Sequence, residues 1–283
     1  MRLLVELNSK NIDKYINDID GVLVGLHGFS VLNNITYTLD EIKELITKYN
    51  TLDIFIKIDK NIFNDEIDSL KNILLELSKS NVKVMFYDIA VLQLVKELKL
   101  DIDLVWSQTH MVNNYKTCNY YYDKGVKYAL VSKEITLDEI KTINKLSKIN
   151  TIVEVVSLPS VGFSRRKLVT NYNKDNNSNF KDLKVLEKVT NKEYIVKEEN
   201  AGTGFILDEV LNGTGVIKEL YNSGTSYILM REIDDFLELV KDTKEYISNE
   251  CRDDEYISKY KKLGDNTGFF FKNTIYRVIK WNE

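Results

Sequence analysis

Cysteine is scarce in this chain: Cys118 and Cys251 are its only two, far apart and without CxxC spacing. That excludes a disulfide framework and a metal centre built from cysteines. Imidazole chemistry rests on two residues, His27 and His110, and a lone histidine is more often structural than a ligand or base. No run of 18 apolar residues occurs, so no membrane-spanning helix is expected. The opening Met1–Leu7 stretch meets a charge too soon for a signal peptide, and a cytoplasmic protein is expected. Positive charge is not in excess. The 39 Lys and Arg against 43 Asp and Glu give a net charge of −4 with the signs interspersed, so charge does not indicate a nucleic-acid partner. HExxH, GxSxG and an ordered Ser-His-Asp set are missing. Gly202-Thr203-Gly204 and Gly213-Thr214-Gly215 lack the strand-to-helix setting and spacing of a phosphate-binding loop, so they read as turns.

What is present is a large potential core, with 43% hydrophobic residues in 283. Eight short runs rich in β-branched and aromatic residues read as strands: Leu3 to Leu7, Val22 to Leu26, Ile54 to Ile58, Val82 to Tyr87, Leu104 to Trp106, Tyr128 to Val131, Ile152 to Val156 and Tyr227 to Met230. They are nearly continuous in apolar residues, as strands covered on both faces are. Between them, helical periodicity spans Ile12 to Ile19, Leu39 to Tyr49, Glu66 to Ser78, Val91 to Leu98, Asn114 to Tyr122, Leu137 to Ser147, Val216 to Tyr221 and Phe236 to Ile247. Thr136-x-x-Glu139 adds a capping box. The alternation predicts a single (β/α)8 TIM-like barrel domain over 1–283, with an open doubly wound sheet as the alternative. The rhythm breaks at 163–207, read as a loop and β-hairpin insertion after strand seven. Asn171 to Asn179 reads as loop, and Lys192 to Lys197 with Gly204 to Leu207 as the hairpin. A C-terminal extension, 250–283, ends in an aromatic strand from Gly268 to Val278.

Barrel chemistry gathers at strand carboxyl ends. Those ends carry Glu6 and Asn8, His27, Lys57 and Asp59, Asp88, Gln108 and His110, Ser132 and Glu134, Glu154 and Ser157, and Arg231 and Glu232. Of these, Glu134 and Glu154 are candidate acid/base groups or ligands of a divalent metal, with His27 and His110 as candidate proton carriers. Glu6, Lys57, Asp88, Gln108, Asn114 and Arg231 are candidate substrate-binding groups. Glu6 and Glu154 sit inside apolar runs, where an unpaired carboxylate is costly, so each is expected to face a cation such as Lys57 or Arg231. Arg165-Arg166-Lys167 reads as a solvated cluster.

From Val82 onward the chain resembles the peptidase U32 (collagenase-like) family. Its strand-and-helix signature "vxLSrEls-x-x-Ei" reads here Ala129-Leu130-Val131-Ser132-Lys133-Glu134-Ile135-Thr136-Leu137-Asp138-Glu139-Ile140, and its "D-x-G-x-L" is matched by Asp88-Ile89-Ala90-Val91-Leu92. Asn113 and Asn114 stand at its "T-N" position, and Glu198-Glu199-Asn200-Ala201-Gly202-Thr203 resembles its "E-x-x-x-G-T". At "E-x-f-v-H-G-a-l-C" the chain keeps Glu154 but loses the His-Gly pair and the cysteines. The resemblance implies a barrel fold and a peptidase label. The group also contains iron–sulfur proteins needed for RNA or quinone hydroxylation. Two cysteines cannot supply a four-cysteine cluster within one chain, so no iron–sulfur cluster is expected.

Two readings follow. One is a U32-like hydrolase acting on a peptide or small polar molecule at the barrel mouth. The alternative is a non-catalytic barrel that binds a small anionic metabolite or a partner protein, with an RNA- or quinone-hydroxylation factor further behind. The sequence alone fixes neither cofactor nor oligomeric state.

Overall fold

The computed structural model describes residues 1–181, 183–252 and 254–272. In chain order its elements are β1 (Arg2–Glu6), β2 (Gly21–Leu26), β3 (Thr36–Tyr37), α1 (Leu39–Lys48), β4 (Asp53–Ile58), α2 (Ile67–Leu77), β5 (Lys83–Phe86), α3 (Ile89–Glu97), β6 (Asp103–Trp106), α4 (Tyr115–Asp123), β7 (Tyr128–Leu130), α5 (Leu137–Leu146) and β8 (Asn150–Ser157). Then come β9 (Ser160–Ser164), α6 (Leu168–Asn176), β10 (Leu183–Glu187), β11 (Lys192–Glu199), β12 (Gly202–Leu207), β13 (Leu211–Asn212), α7 (Ile217–Asn222), β14 (Tyr227–Arg231), α8 (Phe236–Ser248) and α9 (Asp254–Tyr260).

Eight parallel strands pair in the order β1-β14-β8-β7-β6-β5-β4-β2, and β1 also pairs with β2, which closes the ring. This is a (β/α)8 barrel. Its strands are apolar through their middles because both faces are covered there. Leu4, Leu23, Phe55, Met85, Val105, Ile152 and Leu229 fill the interior, while alternate residues such as Leu3, Val5, Ile54, Ile56 and Val84 pack outward in the larger core cluster with the surrounding helices. Thr38 and Thr136 each open a helix with a complete capping box, closed by Glu41 and Glu139.

Four local expectations are corrected. Ile12 to Ile19 is not a helix: a single 3-10 turn, Ile12–Lys14, is followed by turns. Ile12, Tyr15 and Ile19 are buried all the same, so the periodicity reported burial and not helical conformation. The Asn-rich run is helical up to Asn176 and loop only beyond it, because Leu168–Asn176 forms α6, which ends on Asn177 in the left-handed conformation that asparagine tolerates. The hairpin of β11 and β12 is present, but β9 and β10 flank it as an antiparallel sheet of order β10-β11-β12-β9. Finally, Gly268 to Lys272 is turn and not strand, and the rest of the expected C-terminal strand lies outside the described residues. The aromatic expectation survives in part, since Phe270 is buried while Phe271 is exposed.

Candidate functional site at the barrel mouth

The period of two along a strand puts Glu6 two residues beyond interior Leu4, Lys57 beyond Phe55, Glu154 beyond Ile152 and Arg231 beyond Leu229. Four charged side chains therefore meet at the carboxyl end. Lys57 Nζ donates to Glu6 Oε1 at 2.7 Å and lies 3.6 Å from Asp59 Oδ2. Arg231 contacts the other Glu6 oxygen and donates from Nε to Glu154 Oε2 at 3.1 Å. Glu154 also accepts from Ser157 Oγ at 2.5 Å, with Lys133 Nζ at 3.5 Å. Only about 4% of Glu154 is exposed. Burial pushes the Asp59 carboxyl above its ordinary range, although Lys57 and the Val31 amide oppose the shift.

Above this network lies a cavity of about 250 Å³. Glu6, Asn8, Arg231 and Glu232 line its barrel side, the segment from Leu32 to Ile35 and Tyr37 form one wall, and Leu158 with Ile195, Lys197 and Ile206 of the small sheet cover it. The cover is tied down at named points. Lys197 Nζ donates to the Asn33 carbonyl at 2.7 Å and to Asn34 Oδ1 at 3.2 Å, and the Leu32 amide donates to Glu199 at 3.1 Å. Glu232 accepts from the Asn8 amide and from the Tyr15 hydroxyl. Burial, then the Glu232 charge, push the Tyr15 phenol up to about 12, and burial does the same to Tyr37.

One polar group in this wall has no partner. Both side-chain atoms of Asn33, Oδ1 and Nδ2, are buried without a hydrogen bond. Asn33 fits there because β2 carries Gly25, where a Cβ would stand 2.8 Å from the Asn33 amide and 2.6 Å from Ser30 Oγ. Buried amides are almost always satisfied, so an orphan lining a cavity marks where a ligand can bond.

The remaining candidates lie elsewhere. His27 is exposed, with Nδ1 3.1 Å from Thr36 Oγ1. His110 and Glu134 pair with each other at 3.0 Å on the surface. The four candidate catalytic groups thus share the carboxyl end without converging. Asp88 caps α3 and accepts from the Ile62 amide, Asn114 caps α4, and Gln108 accepts from the Trp106 indole and donates to the Tyr87 carbonyl. Asn33, Asn34, Tyr37 and Lys197 were missed by sequence reasoning because they leave the strand ends. The available signal was the position of Asn33-Asn34 in a loop following a barrel strand.

A four-cysteine cluster does not fit this chain. Cys118 sits in the core on α4 and Cys251 follows α8, burial pushes both thiols up to about 11, and among the described residues no three His, Cys, Asp or Glu side chains are grouped to hold a metal. No helix among them is long and apolar enough to cross a membrane.

The peptidase family U32 profile matches residues 9–265. The chain belongs to that family. This U32 barrel is 24% identical over 252 residues to the tRNA hydroxylation protein P2 of Bacillus subtilis (strain 168), covering 79% of this chain and 81% of that protein. Among solved structures, the U32 chain is similar to 3-hexulose-6-phosphate synthase from Salmonella typhimurium (12% identity, 89% and 98% of the two chains, TM-score 0.49) and to thiamine phosphate pyrophosphorylase from Pyrococcus furiosus (8%, 88% and 96%, TM-score 0.47). Neither similarity bears on chemistry.

Proposed function

We propose that this U32 chain takes part in the hydroxylation of tRNA, holding a small polar molecule in the mouth cavity, and that it does not cleave peptides. Support for the RNA side comes from the Bacillus subtilis relative, whose likeness runs over about four fifths of both chains. The observation that carries the reading against proteolysis is the cavity's composition. Its lining has no serine, threonine, cysteine or histidine, so it offers no hydroxyl or thiol of the Ser, Thr or Cys type paired with a histidine base. Its carboxylates are committed, Glu6 to Lys57 and Arg231, and Glu232 to the Asn8 amide and the Tyr15 hydroxyl. What it offers a ligand is the unpaired Asn33 amide, which suits a polar group.

The test is nucleoside mass spectrometry of tRNA from cells lacking the gene. The expected result is loss of a nucleoside one oxygen atom heavier than its precursor, restored by the wild-type chain. An unchanged nucleoside profile, with peptide cleavage by the purified chain, would overturn the reading.

A further inference from the structure

The net charge of −4 conceals a local asymmetry. Between residues 163 and 192 the chain carries eight Lys and Arg against three Asp and Glu, a net +5, so the rest of it carries −9. This segment runs from the end of β9 through α6 and β10. Six of its cations, Arg165, Arg166, Lys167, Lys174, Lys181 and Lys188, are exposed, and none is paired with a carboxylate among the described residues. On the barrel surface some of the cations are paired: Lys43 and Lys79 share Glu76, and Lys259 is held by Glu238 and Asp242. The same segment exposes two aromatic rings, Tyr172 (52%) and Phe180 (49%), with centroids 6.2 Å apart.

We propose that this face of the small sheet and α6 is the surface on which the chain docks tRNA, its cations on phosphates and Tyr172 and Phe180 on unstacked bases. Unpaired cations beside exposed aromatics are the combination that single-stranded nucleic acid requires. The location agrees: Arg165 lies 4.0 Å over the ring of Phe63, in the segment after β4 at the carboxyl end, and the neighbouring β11 and β12 cover the mouth cavity. Val185, Leu186 and Val189 are exposed on the same lobe. Lys184 and Lys188 are interleaved with them, and lysine is depleted in protein–protein interface cores, so RNA is favoured over a protein partner. The assignment rests on the tRNA reading above.

The experiment measures binding of bulk deacylated tRNA to the full chain by filter retention across a salt series. The triple variant R165Q/R166Q/K167Q is expected to bind about tenfold more weakly at about 0.1 M salt, with the logarithmic salt slope reduced by about 2 to 3. Y172A/F180A should lose about fivefold or more with the slope unchanged. K96Q/K99Q, at the far end of α3, should bind as wild type does. Equal binding by wild type and both lobe variants would overturn this surface and leave the tRNA reading standing. So would a wild type that fails to bind tRNA although cells lacking the gene lose the hydroxylated nucleoside. An unchanged nucleoside profile would instead remove the underlying reading. Intact RNA binding with a changed oligomeric mass in the lobe variants would show a protein interface, and would also overturn the proposal.

Discussion

The two ends of the barrel are built from the same strands and satisfy their charges differently. At the amino end Asp53 accepts from Lys83 Nζ and from the Tyr227 hydroxyl, both at 2.6 Å, and pairs with Arg2, which itself donates to Tyr227 at 2.9 Å. Lys83 also lies over the rings of Phe55 and Tyr128. These contacts form a closed circuit. At the carboxyl end the circuit of Glu6, Lys57, Arg231 and Glu154 abuts a cavity and an unpaired amide. Along one strand, Arg2-x-Leu4-x-Glu6 or Asp53-x-Phe55-x-Lys57, the inward positions run charged, apolar, charged. The apolar layer separates a charge network closed on itself from one with hydrogen-bonding capacity left over. Such residual capacity is what function uses and stability does not need.

The largest effect should come from opening the closed end. In Asp53→Ala, Lys83 is left with its side chain nearly buried (8% exposed) and without its carboxylate, which should cost about 3–5 kcal/mol in denaturant unfolding. Acid supplies a second readout. Burial raises the Asp53 carboxyl, but the bonds from Lys83 and Tyr227 and the charges of Lys83 and Arg2 outweigh it and hold the group below its ordinary value of 3.8. A depressed folded-state value means that this stability is present above the ordinary value and is lost as pH falls through the folded one. Asp53→Asn should therefore be less stable than wild type near neutrality and lose less on acidification. Parallel acid limbs in the two proteins would show that Asp53 does not carry the difference.

An intermediate effect is expected at the open end. Glu154 is buried against Arg231, Lys133 and Ser157, while Arg231 keeps Glu6 as a second partner. Glu154→Gln should cost about 1.5–3 kcal/mol, the range for hydrogen bonds to charged groups, and less than Asp53→Ala. A loss as large as that of Asp53→Ala would erase the contrast between the ends.

The strands and most helices were legible because covering both faces of a strand demands a continuous apolar run, and a buried charge inside such a run stands out. That made Glu6, Lys57, Glu154 and Arg231 visible. Arg2, Asp53 and Lys83 were not, because at the starts of strands a polar residue looks like ordinary loop. For His27, His110 and Glu134 the strand-terminal position did not say whether the side chain turns inward or to solvent, and all three are exposed. The helix in the Asn-rich run was hidden by residues that favour turns locally. Its Val169 is buried, and the amides of Val169 and Thr170 donate to Glu198 across the small sheet, a tertiary contact that no local pattern records. The missed cavity wall has the same origin, since Asn33 meets Lys197 only through the fold.

The smallest stability effect and the sharpest separation of the two ends should come from Asn33. Its amide is buried in the cavity wall and makes no hydrogen bond, so removing it breaks nothing within the protein, and an unmet buried donor and acceptor carry a desolvation cost of about 1–3 kcal/mol. Asn33→Leu keeps the approximate volume and removes that cost. Its thermal unfolding should therefore be unchanged or shifted upward by the equivalent of up to about 1 kcal/mol, whereas Asp53→Ala is shifted far down. Its function should move the other way. If the amide serves a ligand, Asn33→Leu in cells lacking the wild-type gene should fail to restore the hydroxylated tRNA nucleoside, even though the protein accumulates normally. A stability loss near 1 kcal/mol with full restoration would mean that Asn33 is bonded inside the protein and that the open end is as closed as the other.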